Sequence, residues 1–342
     1  MTLLADLGAT IPVLAAPMAG GPTTPDLVRA AAEAGSLGLL AAGYQTPEAL
    51  AEQIAAVRAA TSTFGVNLFA PNPVPVDPEA YAVYRDSVRA DAERFGADVP
   101  EEPREDDDSW QAKLDLLVAD PVPLVSFTFG IPSAAEVARL RRAGTVTAQT
   151  VTSAEEARAA GEAGVDVLVV QGPAAGGHSG TLTPERIPVD RPLPGLVAEI
   201  AAATPATPLI AAGGLMTSTG VARVLEAGAL AVAVGTALLL SPEAGTSAAH
   251  RAALLGGDRG STIMTRAFSG RPARAIPNRF LADHHGAAPA GYPAIHHLTS
   301  PMRKAAGAAG DPEHVNLWAG TGYRTVQQRP AAAILGDLAA GL

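Results

Sequence analysis

Short apolar runs alternate with amphipathic stretches along most of the chain. Residues 12–16, 37–41, 64–69, 122–127, 145–149, 165–170, 208–212 and 230–234 are rich in Val, Ile, Leu and Ala. They lack the in–out alternation of a half-solvated strand, so they read as strands buried on both faces. Helical periodicity follows most of them, over 24–34, 47–60, 133–142, 153–163, 217–227 and 237–240, and Ser133 is placed to cap its helix. Strands alternating with helices predict a parallel sheet with helical crossovers. Eight such units predict an α/β fold of the closed (β/α)8 TIM-barrel type rather than an open doubly wound sheet. Two stretches break the period. Residues 70–119 hold a proline-rich piece, a charged helix over 77–95 and an acidic loop over 101–108; residues 245–301 separate the last strand from the tail. Excursions of this length usually form a subdomain. The expected division is a barrel from 1–70, 119–244 and 301–342, with a smaller inserted lid domain from 71–118 and 245–300. The acidic loop itself is expected to be a solvated surface.

Composition narrows the function. The 342 residues are 48% hydrophobic and 17% charged, enough for a large core. A net charge of −10 argues against a nucleic-acid partner, which needs a basic surface. It leaves a small anionic substrate open, because local fields decide that. The absence of cysteine excludes disulfides, thiolate catalysis and Cys-ligated metals. No basic N-terminal region followed by an apolar span is visible, so the expectation is a cytoplasmic protein with no membrane contact.

In a barrel of this type the active site lies at the C-terminal strand ends. Those ends carry Ala16-Pro17-Met18-Ala19-Gly20, Asn67, the run from Gln171 to Gly180, Ala212-Gly213-Gly214 and Gly235-Thr236. Loops after the seventh and eighth strands are the usual phosphate site of the fold. Gly213-Gly214 and Gly235-Thr236 offer backbone amides and helix N-termini to an anion there. No G-K-[ST] follows the glycines and no G-x-G-x-x-G follows the first strand, which argues against a P-loop and a Rossmann site. The only lysines, Lys113 and Lys304, fall outside the barrel strands, so FMN fits better than a Schiff-base cofactor. Asn67 and Gln171 present amides able to donate to and accept from a flavin ring edge. His178 follows Gly176-Gly177, where an imidazole can exchange a proton near neutral pH. His284-His285 and His296-His297 make poor chelates as adjacent pairs, leaving structural, rim or pocket roles open. Arg266, Arg271, Arg274 and Arg279 form a basic stretch that attracts an anion, covers a phosphate or pairs with surface acids.

The set Ala16-Pro17-Met18-Ala19-Gly20, Gly65-Val-Asn67-Leu-Phe69, Val125-Ser-Phe127, Gln171-Gly-x-x-Ala-Gly176-Gly177-His178-x-Gly180, Ala211-Ala-Gly213-Gly214 and Val234-Gly235-Thr236 resembles the nitronate monooxygenases. The resemblance extends to Phe268-Ser-Gly-Arg271-Pro-Ala-Arg274 and to Leu317-Trp-Ala-Gly-Thr321. It implies that His178 is the catalytic histidine. It implies that Asn67, Gln171, Gly176, Gly177, Gly213, Gly214 and the run Ala233, Val234, Gly235, Thr236 hold FMN, with Pro17 and Met18 lining the flavin. Ala174 departs from a glutamate frequent in the family, and Ala233-Val234 lack its glutamine and methionine.

The resemblance further implies oxidation of an alkyl nitronate, such as propionate 3-nitronate, by O2 through FMN to a carbonyl compound and nitrite. The partners are then a small anionic nitronate and O2, with a homodimer as one arrangement of the chains. His178 acts either as the base for a neutral nitroalkane or as a cationic anchor for the anion. Two other readings stand beside this one: a flavin-dependent NAD(P)H enoyl reductase, and an FMN-binding barrel without catalysis.

Overall fold

A computed structural model describes residues 2–342. Eight parallel strands close into a barrel in the order β1-β2-β3-β4-β5-β6-β8-β9. They are β1 Val13–Ala15, β2 Gly38–Ala41, β3 Phe64–Ala70, β4 Leu124–Phe129, β5 Val146–Val151, β6 Val167–Gln171, then β8 Leu209–Ala212 and β9 Ala231–Val234; β7 is a short segment, Gly177–His178, outside the barrel. Closure runs through Val13↔Val232, Leu14↔Ala233 and Ala15↔Val234.

Local chemistry sets the crossovers. The Thr24, Thr46, Ser153 and Thr217 hydroxyls each accept from a backbone N–H in the first turn of a following helix. Ser133 forms a full capping box with Glu136. Pro25 and Pro47 occupy the first helical positions, where no N–H is needed. Neighbouring residues of one strand enter different cores, because successive side chains point to opposite faces. Leu14 packs inside the barrel with Leu39, Leu124 and Ile210. Val13 and Ala15 pack outside it against helix residues such as Leu27, Ala31 and Leu335.

Between β6 and β8 lies a helix, Leu193–Ala203, that the apolar periodicity did not isolate; Pro192 and Pro194 at its start obscure the repeat. Helix Trp110–Ala119 buries Trp110, Leu114 and Leu117 with Leu50, Ile54 and Phe127 on the barrel wall. Helix Pro78–Arg94 instead shares a separate core with Phe268, Phe280, Leu281, Ile295 and Leu298. Helix Ala294–Ala308 runs across residue 301 without interruption. A three-stranded antiparallel sheet of β10 Ile263–Thr265, β11 Ala273–Ala275 and β7 ties the second excursion to the loop after β6. The terminal helix Ala331–Ala339 returns to the barrel wall through Leu335 and Leu338.

Candidate active site

A cavity of 640 Å³ opens over the C-terminal ends of the strands. Pro17, Met18, Asn67, Gln171, Gly176, Gly177, His178, Gly213, Gly214, Ala233, Val234, Gly235 and Thr236 all line it. From the run Gln171 to Gly180, Gly172, Pro173, Ala174, Ser179 and Gly180 do not line it.

One end of the cavity is a cradle of backbone. Among the described residues, the N–H groups of Gly213, Gly214, Gly235 and Thr236 meet no protein acceptor. Gly213 and Gly214 hold φ of +129° and +71°, so a side chain at either is strained. A Cβ on Gly213 would lie 3.0 Å from the Gly172 carbonyl oxygen and 3.2 Å from the Ala175 nitrogen. The tail closes the cradle: the Gly320 N–H donates to Thr236 Oγ1 at 2.9 Å, and the Thr321 N–H donates to the Ala174 carbonyl at 3.1 Å. A Cβ on Gly214 would lie 2.9 Å from that of Ala174, so the alanine packs flush against the cradle. Free amides facing an open space form an anion site. They fit a phosphate ester, and the rest of the cavity leaves room for an attached ring.

The loop from Gln171 to Gly180 forms the next wall. The Gln171 side chain spans it: Nε2 donates to the His178 carbonyl at 3.0 Å, and the Gly180 N–H donates to Oε1 at 2.7 Å. Both ends of this amide therefore brace the loop. Asn67 lies deeper, with Nδ2 donating to Ser126 Oγ at 2.8 Å and Thr128 Oγ1 at 3.0 Å. Those bonds set its flip and leave Oδ1 as the acceptor without a protein donor.

The basic stretch turns out to clamp backbone. Arg274 Nε donates to the Pro173 carbonyl at 2.6 Å, and Arg271 donates to the Ser179 and Thr181 carbonyls. Arg266 binds the Pro184 and Glu185 carbonyls, and Arg279 pairs with Asp283 at 3.4 Å. The cation that does line the cavity beside His178 is Arg303, with Lys304 next to it on helix Ala294–Ala308. Sequence reasoning missed both, because neither follows a strand.

His178 sits in an aromatic frame. Phe129, Trp318 and Tyr292 place ring centroids 5.6, 5.3 and 6.1 Å from its own. Its Nε2 lies 2.8 Å from Ser269 Oγ, and Nδ1 is without a protein partner among the described residues. Burial, then the nearby Arg271 and Arg303 charges, push its pKa down to about 3. The resting imidazole is neutral at pH 7, which disfavours the permanently cationic anchor.

The paired histidines separate. His296 lines the cavity and stacks flat on Tyr44, with centroids 4.2 Å apart. His284 is buried and bonds Asp91 at 2.6 Å, His297 pairs with Asp106 at 2.8 Å, and His285 is exposed. His250 also lines the cavity, and burial lowers it to about 4. Among the described residues no His, Cys, Asp and Glu group is arranged to hold a metal. No helix among them is long and apolar enough to cross a membrane.

A (β/α)8 barrel with unclaimed amides after its last two strands and a histidine on a glycine loop, all facing one cavity at the C-terminal strand ends, is the architecture of a barrel enzyme. The nitronate monooxygenase family model matches residues 1–341, and the chain belongs to that family of flavin-dependent oxidoreductases. It is 34% identical over 339 residues to a probable nitronate monooxygenase of Staphylococcus aureus strain Newman, covering 97% of this chain and 94% of that one. Its fold matches the structure of nitroalkane oxidase from Streptomyces ansochromogenes with a TM-score of 0.91 and 43% identity, over 98% of this chain and 96% of that one. FabK from Thermotoga maritima shares the fold, with a TM-score of 0.76, 24% identity, and coverage of 98% and 94%.

Proposed function

We propose that the chain binds FMN and oxidises alkyl nitronates, propionate 3-nitronate among them, with O2 to a carbonyl compound and nitrite. The observation that carries this reading is the set of unclaimed amides at Gly213, Gly214, Gly235 and Thr236 facing the cavity that His178 also lines. These amides would hold the phosphate. Asn67 Oδ1 and the backbone of Ala233 and Val234 would meet the ring, with Pro17, Met18, Gly176 and Gly177 against its faces and edge. The flavin supplies the electron chemistry with O2.

The residues of the chain do the remaining work. The substrate carbon gains one oxygen, the C–N bond breaks, and nitrite leaves. A nitronate already carries the negative charge, so it needs binding and orientation rather than deprotonation. Arg303 supplies positive charge to the cavity wall. A neutral nitroalkane must first lose its α-proton, and the neutral His178 imidazole is in the form that accepts it. The Ser269 hydroxyl fixes the imidazole plane through Nε2. The two excursions of the chain, which share one core, would act as the lid that keeps water out.

Anaerobic mixing tests the reading. Addition of propionate 3-nitronate to the yellow protein is expected to bleach the flavin, with nitrite appearing once O2 is admitted. Rapid bleaching by NADH, with none by the nitronate, would instead support the enoyl-reductase chemistry.

A further inference from the structure

Four non-glycine residues among those described have left-handed backbone: Tyr44, Asp108, Ser109 and Phe129. Such conformations persist only where surrounding structure over-determines them, and they cluster at functional sites. Here they gather on one side of the cavity. Tyr44 and Phe129 line it directly, and Phe69 lies between them, with ring centroids 5.3 Å from Tyr44 and 4.5 Å from Phe129. Asp108 and Ser109 stand behind Tyr44. The Tyr44 N–H, at φ +68°, donates to Asp108 Oδ1 at 2.9 Å. Asp108 Oδ2 lies 2.7 Å from Lys113 Nζ, and Lys113, 1% exposed, also donates to the Ala42 carbonyl at 3.0 Å.

A buried lysine on the barrel wall thus holds an aspartate, and the aspartate holds one backbone N–H. The acidic loop, expected to be solvent-facing, ends in this contact. Its effect is to aim the Tyr44 ring. That ring lies flat on His296, its hydroxyl faces Tyr292, and Tyr292 packs edge-on to His178. The Arg303 charge reaches both Tyr44 and His178.

We infer that Tyr44 is a substrate-contacting residue whose hydroxyl donates to the bound anion on the His178 side of the cavity, and that the Lys113–Asp108 pair is its positioning device. The inference rests on the nitronate reading for the identity of the anion. The phenol is a neutral donor at working pH, because an ordinary tyrosine hydroxyl titrates near ~10. It therefore binds an anion without losing its proton.

The test compares the holoenzyme with Tyr44→Phe and with the charge-neutral double variant Lys113→Met/Asp108→Asn, using the anions of nitroethane and 1-nitrobutane. Loss of one hydrogen bond to a charged group is expected to raise KM about 10- to 100-fold, with kcat little changed. Tyr44→Phe keeps the ring, the stacking and the backbone, so it isolates the hydroxyl. The double variant is expected to raise KM in the same direction while its flavin absorbance stays that of wild type. Wild-type KM in Tyr44→Phe overturns the inference, as does a double variant that loses kcat, KM and melting temperature together. If the unmodified enzyme leaves both nitronates untouched, the nitronate reading has failed instead.

Discussion

Replacing Gly213 by alanine puts the phosphate cradle under direct test. The native φ of +129° is one that an L-residue adopts at a cost of roughly 1–3 kcal/mol. The added Cβ would stand 3.0 Å from the Gly172 oxygen and 3.2 Å from the Ala175 nitrogen. Both are backbone atoms and cannot swing aside, so the Gly213–Gly214 segment must shift. Two amides then lose their aim. A hydrogen bond to a charged acceptor contributes about 1.5–3 kcal/mol, so losing two lowers FMN affinity by roughly 10²- to 10⁴-fold. Riboflavin has no phosphate, and its weaker binding is expected to change little. The assay is fluorescence quenching on flavin-stripped protein, titrated with FMN and with riboflavin, for wild type and Gly213→Ala. The readout is the FMN-to-riboflavin preference, which a general loss of stability leaves alone. Equal affinity of the wild-type protein for the two ligands would refute the cradle. So would a variant that loses both ligands in equal proportion.

Three further outcomes are expected. His178→Ala should depress turnover of a neutral nitroalkane by about 10²- to 10⁴-fold, the usual share of a general base, and turnover of the pre-formed nitronate much less; steady-state nitrite release on both substrates checks it, and equal losses would favour a purely electrostatic role. Burial holds His250 at about 4 and His178 at about 3, both below the unfolded value near ~6.5, so the unfolded chain binds more protons in that window. Stability is fully present above about pH 6.5 and falls as the pH drops toward those folded values, at up to ~1.4 kcal/mol per pH unit for His250 and less for the cavity-facing His178; urea midpoints at pH 7 and pH 5 should show the fall, and His250→Phe should flatten it. Arg271 is fully buried and its guanidinium holds the Ser179 and Thr181 carbonyls, so Arg271→Met should speed amide exchange across 177–182 and lower the melting temperature by several degrees; unchanged exchange there would show that β7 alone holds the loop.

Local pattern carried most of the architecture. Apolar runs without alternation, most of them followed by a helical repeat, leave a parallel closed sheet as the economical solution, because both faces of every strand need cover. Glycines at the ends of β8 and β9 were informative for the same local reason: an amide can approach an anion closely only where no Cβ intervenes, and those positions follow from chain order alone. Partners far apart in the chain were invisible to that reasoning. His178 meets Ser269 across 91 positions, and Tyr44 meets Asp108 across 64. The arginines near residue 270 looked like anion receptors by charge, yet carbonyls from 173 to 185 claim most of them. Arg303 and His296 entered the cavity from a helix that no strand-end rule selects. Periodicity and turn chemistry act within a few residues, so they can be read along a line. Which side chains share a low-dielectric space, and hence which groups stay neutral, depends on how distant segments are brought into contact.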